Sequence, residues 1–174
     1  MHRSTYSTDA GMHCVWDQSA FSSVSDYDSW ERELLEDKDI ERQIRAGSFV
    51  PLNIGSDGLM DIEIRVGTAT SPAELNARET QYLIVRSEPY LLRSQGAICA
   101  SGIEQVCVPL EDGIEAIPLP AGDYGVTVHL IAWDEEPGMQ TDDGPAEGAL
   151  PDYVVLINPP DSSKAFRSEL KTFS

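Results

Sequence analysis

No lysine or arginine occurs between Arg93 and Lys164, a span that holds thirteen aspartates and glutamates. That half of the chain cannot neutralise itself. Over the whole chain, 12 lysines and arginines face 30 aspartates and glutamates, a formal net charge of −18. Recognition of a phosphate backbone depends on cationic side chains, so nucleic acid is excluded as a partner class, and an anionic membrane surface with it. Cysteine is scarce: Cys14, Cys99 and Cys107 form an odd set without a C-x-x-C pair. That excludes a disulfide framework and a structural zinc site. Each lies among apolar neighbours, as in "HCVW", "AICA" and "VCVPL", which predicts buried, inert thiols. No apolar run approaches the roughly 18 residues that cross a bilayer. The stretch "MHRSTYSTDAGMHC" has no apolar signal-peptide core, so a cytoplasmic location is expected.

Catalytic signatures are missing too. The chain has no phosphate-binding loop, no G-x-S-x-G elbow, no H-E-x-x-H and no G-x-G-x-x-G after a strand. Histidines stand only at 2, 13 and 129, too scattered for a metal cluster. The EF-hand spacing is absent from "MQTDDGPAEG" and from "GSDGLMD". No metal or cofactor is implied, and a non-enzyme is expected.

What is present is a run of short strands in a chain long enough to bury a core as one domain, 1–174. "MHCVWD" opens as a strand. "DYDSWERELLEDKDIERQIRAG" reads as a helical insert over 28–46, with Asp28 as N-cap, Glu31 completing a capping box and Gly47 as the stop. Trp30, Leu34 and Ile44 share a face, and the interruption near Asp37 allows two shorter helices. "FVPLNI" and "LMDIEIRV" alternate with period two about Gly-Ser-Asp-Gly, which predicts a hairpin with one buried face. "SPAELNARE" suits one helical turn. "TQYLIVR", "PYLLRS", "AICASGIEQV", "VCVPL" and "IEAIPL" read as further strands. A Pro-Ala-Gly-Asp turn then launches "YGVTVHLIAW". "YVVLINP" is apolar enough to be central. "SSKAFRSELKTF" spaces Phe166, Leu170 and Phe173 for a helix over about 163–173. Turns recur too often for βαβ crossovers. The predicted fold is mainly β, an antiparallel β-sandwich with one or two short helices.

The segment "AWDEEPGMQTDDGPAEGALPDY" stands out among the connections. It carries Asp134, Glu135, Glu136, Asp142, Asp143, Glu147 and Asp152 with no compensating cation. A loop this long inside a compact domain is usually functional or mobile. Its prolines and glycines forbid a regular element. Trp133, where the strand gives way to the loop, reads either as a lid on the core or as an aromatic anchor for a partner. These eight residues form the candidate partner-binding set. The plain alternative is a solvated loop that aids solubility.

"VWD" in an early strand, "FVPLNIGSDGLMDIEIRVG" and "VCVPLEDGIEAIPLPAGDYGVTVHL" together resemble the competence-protein-J nuclease-inhibitor family and similar small bacterial immunity-type β proteins. The resemblance spans about 13–18 and 48–131, while the helical insert and the acidic loop depart from it. It implies an inhibitor that meets a nuclease through an acidic face. Two functions follow. One is an acidic binding protein, an inhibitor or immunity protein that occludes a basic partner such as a nuclease or toxin. The other is a small-molecule, sugar or calcium-binding β-sandwich, an enzyme among the options, with a site near Trp133 and His129.

Overall fold

A computed structural model describes residues 1–142, 144–161 and 163–173. The elements run β1 (His2–Thr8), β2 (Met12–Asp17), α1 (Tyr27–Leu34), α2 (Asp37–Ala46), β3 (Phe49–Asn53), β4 (Gly58–Val66), α3 (Ala77–Gln81), β5 (Leu83–Arg86), β6 (Tyr90–Gly102), β7 (Ile117–Ile131), β8 (Gln140–Thr141), β9 (Gly144–Pro145) and β10 (Tyr153–Asn158). The chain is mainly β. One sheet follows the order β1-β4-β10-β7-β6-β2-β3, with β5 added beside β7, and β8-β9 form a separate two-stranded ribbon. The long strands β6 and β7 slip register between Ser94 and Gly96, which lets the sheet curl until β1 lies against β2 and β6. The core fills the space between these layers, with Trp16, Phe49, Leu52, Ile62, Tyr90, Val128 and Val155 almost fully buried.

Several connections differ from the expected ones. β10 runs parallel to β4, so the sheet is mixed and not wholly antiparallel. The predicted hairpin of β3 and β4 does not form: β3 pairs with β2, and β4 pairs with β1 and β10. Both faces of β3 are covered, with Phe49, Val50 and Leu52 at zero exposure and α2 packed against it. Period two therefore did not report its pairing. The Pro-Ala-Gly-Asp segment lies inside β7 instead of turning, because the slip between Ser94 and Gly96 on β6 absorbs the irregularity. Residues 106–110 form no strand; Val108–Pro109 is a cis peptide there.

The insert is two helices, as the interruption near Asp37 allowed. Its cap is Asp26, two residues before the expected Asp28, with Ser29 closing the box: Ser29 N donates to Asp26 Oδ1 at 2.8 Å, and Asp26 N donates to Ser29 Oγ at 3.1 Å. Gly47 ends α2 in the left-handed conformation at φ 78°, where other residues are strained. The C-terminal stretch is an extended strap and not a helix. Arg167 bridges to Tyr90, the Tyr90 hydroxyl donates to the Glu169 and Lys171 carbonyls, and Thr172 is fully buried, its Oγ1 donating to Pro51 O at 2.8 Å. These contacts to β6 and β3 tie the strap to the body of the protein in an extended course, in place of hydrogen bonds within a helix.

A second, smaller apolar cluster sits on the outer face of the sheet. Ile131, Leu150, Val154 and Leu156 form it, and Ala73, Leu75, Leu83 and Trp133 pack over them. The cover is held by a charged network: Arg65 Nε donates to Glu63 Oε1 at 2.6 Å and Arg65 Nη1 to Glu79 Oε2 at 2.8 Å. Glu79 caps α3 in turn, accepting from Asn76 N at 2.8 Å. Glu63, which alternation placed in solvent, is 5% exposed.

The connection into this cover passes Gly67, where a Cβ would sit 2.2 Å from both Ala73 N and Asn158 Oδ1. Gly67→Ala therefore has to displace the 72–75 segment, and we expect a loss of about 2 kcal/mol in urea unfolding. Unchanged stability would contradict this close approach.

Candidate functional site

The acidic segment is fixed at both of its feet. At the first, the chain leaves β7 through a short 3-10 turn at Trp133–Glu135. Trp133 is half-buried on the outer cluster and its Nε1 donates to Asp152 Oδ1 at 2.7 Å. Asp152, at the second foot, also accepts from Asp61 N at 2.7 Å. Two arginines complete the clamp. Arg78 on α3 makes a two-pronged contact with Glu136, at 2.7 and 2.6 Å, and donates to Gly148 O at 2.9 Å. Arg3 on β1 donates to Ala149 O at 2.8 Å and pairs with Asp61 at 2.6 Å. A paired guanidinium prefers the ionised carboxylate, so the Arg78 hydrogen bonds hold the Glu136 carboxyl below its usual range.

This geometry divides the predicted site residues into two groups. Trp133, Glu136 and Asp152 are spent on holding the loop. Asp134, Glu135, Asp142 and Glu147 are exposed, and none is among the ion pairs and side-chain hydrogen bonds of the described residues. Asp143 lies outside the described residues. Between the feet, β8 and β9 pair through Gln140–Pro145 and Thr141–Gly144, with Thr141 Oγ1 donating to Gly144 O at 2.7 Å. This anchored acidic ribbon, 133–152, carries its exposed carboxylates in three places: Asp134 and Glu135 in the 3-10 turn, Asp142 between β8 and β9, and Glu147 after β9. The clamp residues Arg3, Asp61 and Arg78 were not legible as such. They lie more than fifty positions from the loop in sequence, and nothing local marks their destination.

The N-terminal half does not supply enough cations to cancel this loop. Arg42 pairs with Glu33 and Asp39, Arg45 with Glu41, and Arg65 with Glu63 and Glu79. Of the ion pairs among the described residues, only that of Arg78 reaches a carboxylate between 132 and 153.

His129 and Trp133 do not share a site. His129 is 5% exposed, its Nδ1 donates to Val154 O at 3.1 Å, and it lines a groove of about 590 Å³ with Arg86, Thr127 and Asn158. Trp133 does not line that groove. Among the described residues, no group of three or more His, Cys, Asp or Glu is disposed to hold a metal ion. Cys14 and Cys99 are buried, and burial pushes the Cys99 thiol up to about 12. Cys107 is only half-buried, its thiol also raised by burial. No helix among the described residues is long and apolar enough to cross a membrane.

No family model and no curated protein matches the chain. Among solved structures, the fold is similar to that of "Crocagin biosynthetic gene J", with a TM-score of 0.56 at 15% identity over 92% of this chain and 100% of the other. A second similar structure is ComJ from Bacillus subtilis, described as an inhibitor of the DNA-degrading activity of NucA. Its TM-score is 0.49 at 11% identity, covering 92% of this chain and 96% of that one. At such identities the likeness is one of fold. The resemblance to competence-protein-J proteins seen in the sequence is, at that level, present in the structure.

The clamp predicts a local effect. In Arg78→Gln, amide hydrogen exchange across 134–148 should accelerate by at least about tenfold while the urea midpoint of global unfolding barely moves, as for an exposed ion pair. Unchanged exchange would remove Arg78 from the clamp. A pH effect follows from the histidines. Burial holds both His13 and His129 below their ordinary value of 6.5. With folded-state values depressed, the unfolded chain binds more protons below pH 6.5, so stability is full above that pH and declines as the pH falls. Urea unfolding at about pH 7.5 and about pH 5.5 should show the loss. Equal stability at the two would contradict neutral buried rings.

Proposed function

We propose that this chain is a non-catalytic binding protein whose anchored acidic ribbon occludes a basic protein partner, in the manner of an inhibitor or immunity protein directed at a nuclease or toxin. The observation that carries the reading is the division of labour in the loop. Its feet are held by Arg3, Arg78 and the Trp133–Asp152 hydrogen bond, while Asp134, Glu135, Asp142 and Glu147 remain exposed and uncompensated. Like charges gathered on one ribbon repel one another. A basic partner turns that repulsion into attraction, accelerates encounter and fixes register. An enzyme that acts on nucleic acid presents a cationic substrate face, and an acidic ribbon laid over such a face excludes the substrate by charge and by volume. The partner-binding set is then the exposed four with Asp143, and Trp133, Glu136 and Asp152 are positioning residues that keep the ribbon in place. The anchoring matters to affinity, because a ribbon already ordered loses less conformational freedom on binding than a flexible acidic tail.

The test is capture of a partner from the native cell on the immobilised chain at low ionic strength, followed by elution with salt and an activity assay of the eluate. The expected partner is a basic protein whose nuclease or toxin activity is suppressed when the chain is added back. Neutralising Asp134, Glu135, Asp142 and Glu147 to their amides should slow association about tenfold or more, with a smaller change in dissociation. Capture that survives both high salt and the neutralised loop would contradict the proposal.

A further inference from the structure

Away from the acidic ribbon, a cavity of about 330 Å³ lies between the start of α1 and the segment that follows β6. Its aromatic side is made by Tyr27 and Trp30, whose rings stack with centroids 6.1 Å apart and planes inclined by 16°. Tyr27 is 66% exposed. Trp30 packs against the core on one side, as expected of its helix stripe, but is half-buried, and its Nε1 is held by the Ile103 carbonyl at 2.9 Å. The indole is therefore fixed in orientation. Three carboxylates line the same cavity, Asp26, Glu104 and Glu111, and no lysine or arginine does. Two of the three are themselves anchored: Asp26 caps α1, and Glu104 accepts from Thr8 Oγ1 and Asp9 N, both at 2.9 Å. Buried Val106 supplies an apolar lining.

We propose that this cavity is a docking site for the arginine side chain of a basic protein partner, with the guanidinium against the Tyr27–Trp30 pair and the carboxylates around it. The chemistry is complementary at each part of that side chain. Aromatic faces attract cations, and a flat, weakly hydrated guanidinium stacks on them better than an ammonium does. Glu111 and the free lone pairs of Asp26 and Glu104 accept its N–H groups. The methylene stem meets Val106. The volume lies at the small end of ligand sites and is ample for an arginine side chain. A net charge of −18 draws basic proteins toward the molecule in the first place. The site is independent of the acidic ribbon, since none of its lining residues belongs to that loop.

The test uses the full chain and three probes: N-acetyl-arginine amide, its uncharged citrulline counterpart and N-acetyl-lysine amide, followed by NMR at the Trp30 indole N–H. The arginine probe should shift that signal saturably, with citrulline and lysine each weaker by about threefold or more. Tyr27→Ala and Glu111→Gln, both at exposed positions, should each weaken the arginine probe by about threefold or more. The signal of buried Trp16 should not move in either variant, which verifies the fold. Amide substitutions at Asp134, Glu135, Asp142 and Glu147 should leave the affinity unchanged, so failure of the ribbon and failure of this site are told apart. The assignment is overturned by an absence of saturable shift, by citrulline or lysine binding as well as arginine, by indifference to Tyr27→Ala, or by equal weakening when the ribbon is neutralised.

Discussion

The contact between Arg78 and Glu136 shows the constraint on which this molecule is built. Cations are few, and nearly every arginine with a defined role spends its charge on geometry. Arg65 binds Glu63 and Glu79 and so seats α3 on the sheet. The seated helix aims Arg78 at the loop foot, and Arg3 takes the other foot beside Asp61. One link follows from another: the buried network places the helix, the helix places the clamp, and the clamp places the ribbon. What remains after that allocation is negative charge that the protein cannot neutralise from within. Removing one partner from the buried Arg65 network is costly because it leaves the remaining charge poorly solvated, so that arginine is not free to migrate toward the ribbon.

Charge and alternation in the sequence exposed the outlines of this arrangement. The mainly β character, the split of the insert into two helices, Gly47 as a stop and the central place of "YVVLIN" all follow from local pattern and are present in the structure. Long-range pairing was not legible. β3 and β4 look like a hairpin because both alternate, yet each finds its partner elsewhere, and β3 is covered on two sides. Helical spacing at Phe166, Leu170 and Phe173 was outweighed by the tyrosine hydroxyl and threonine contacts that hold the strap extended. Local period reports which face is apolar, whereas the partner of a strand is decided by closure of the chain between distant segments, as for Trp16 with Phe49 and Ile62 with Tyr153.

The candidate site divides along the same line. The concentration of carboxylates between 132 and 153 is a property of composition and needs no coordinates. Which of them are available is a property of the clamp, and that depends on Arg3, Asp61 and Arg78 arriving from distant strands and helices. Both tryptophans pack in ways their surroundings allowed, Trp133 over the outer cluster and Trp30 on the core, each with one side left open. Trp133, next to the acid, is a half-buried lid whose indole is committed to Asp152. Trp30, on a helix stripe, shares an open cavity with an exposed tyrosine.

The central claim is that the ribbon carries uncompensated like charge, kept at a cost to stability. The direct measurement is the unfolding free energy as a function of ionic strength, for the native chain and for a chain with Asp134, Glu135, Asp142 and Glu147 changed to their amides. Salt screens exposed charges over about 10 Å at 0.1 M, so the native chain should gain stability as salt is added, and the amide variant should start more stable and gain less. A native chain that loses stability with salt, or an amide variant that is less stable at low salt, would mean that these carboxylates are internally compensated and that the ribbon is not the recognition surface.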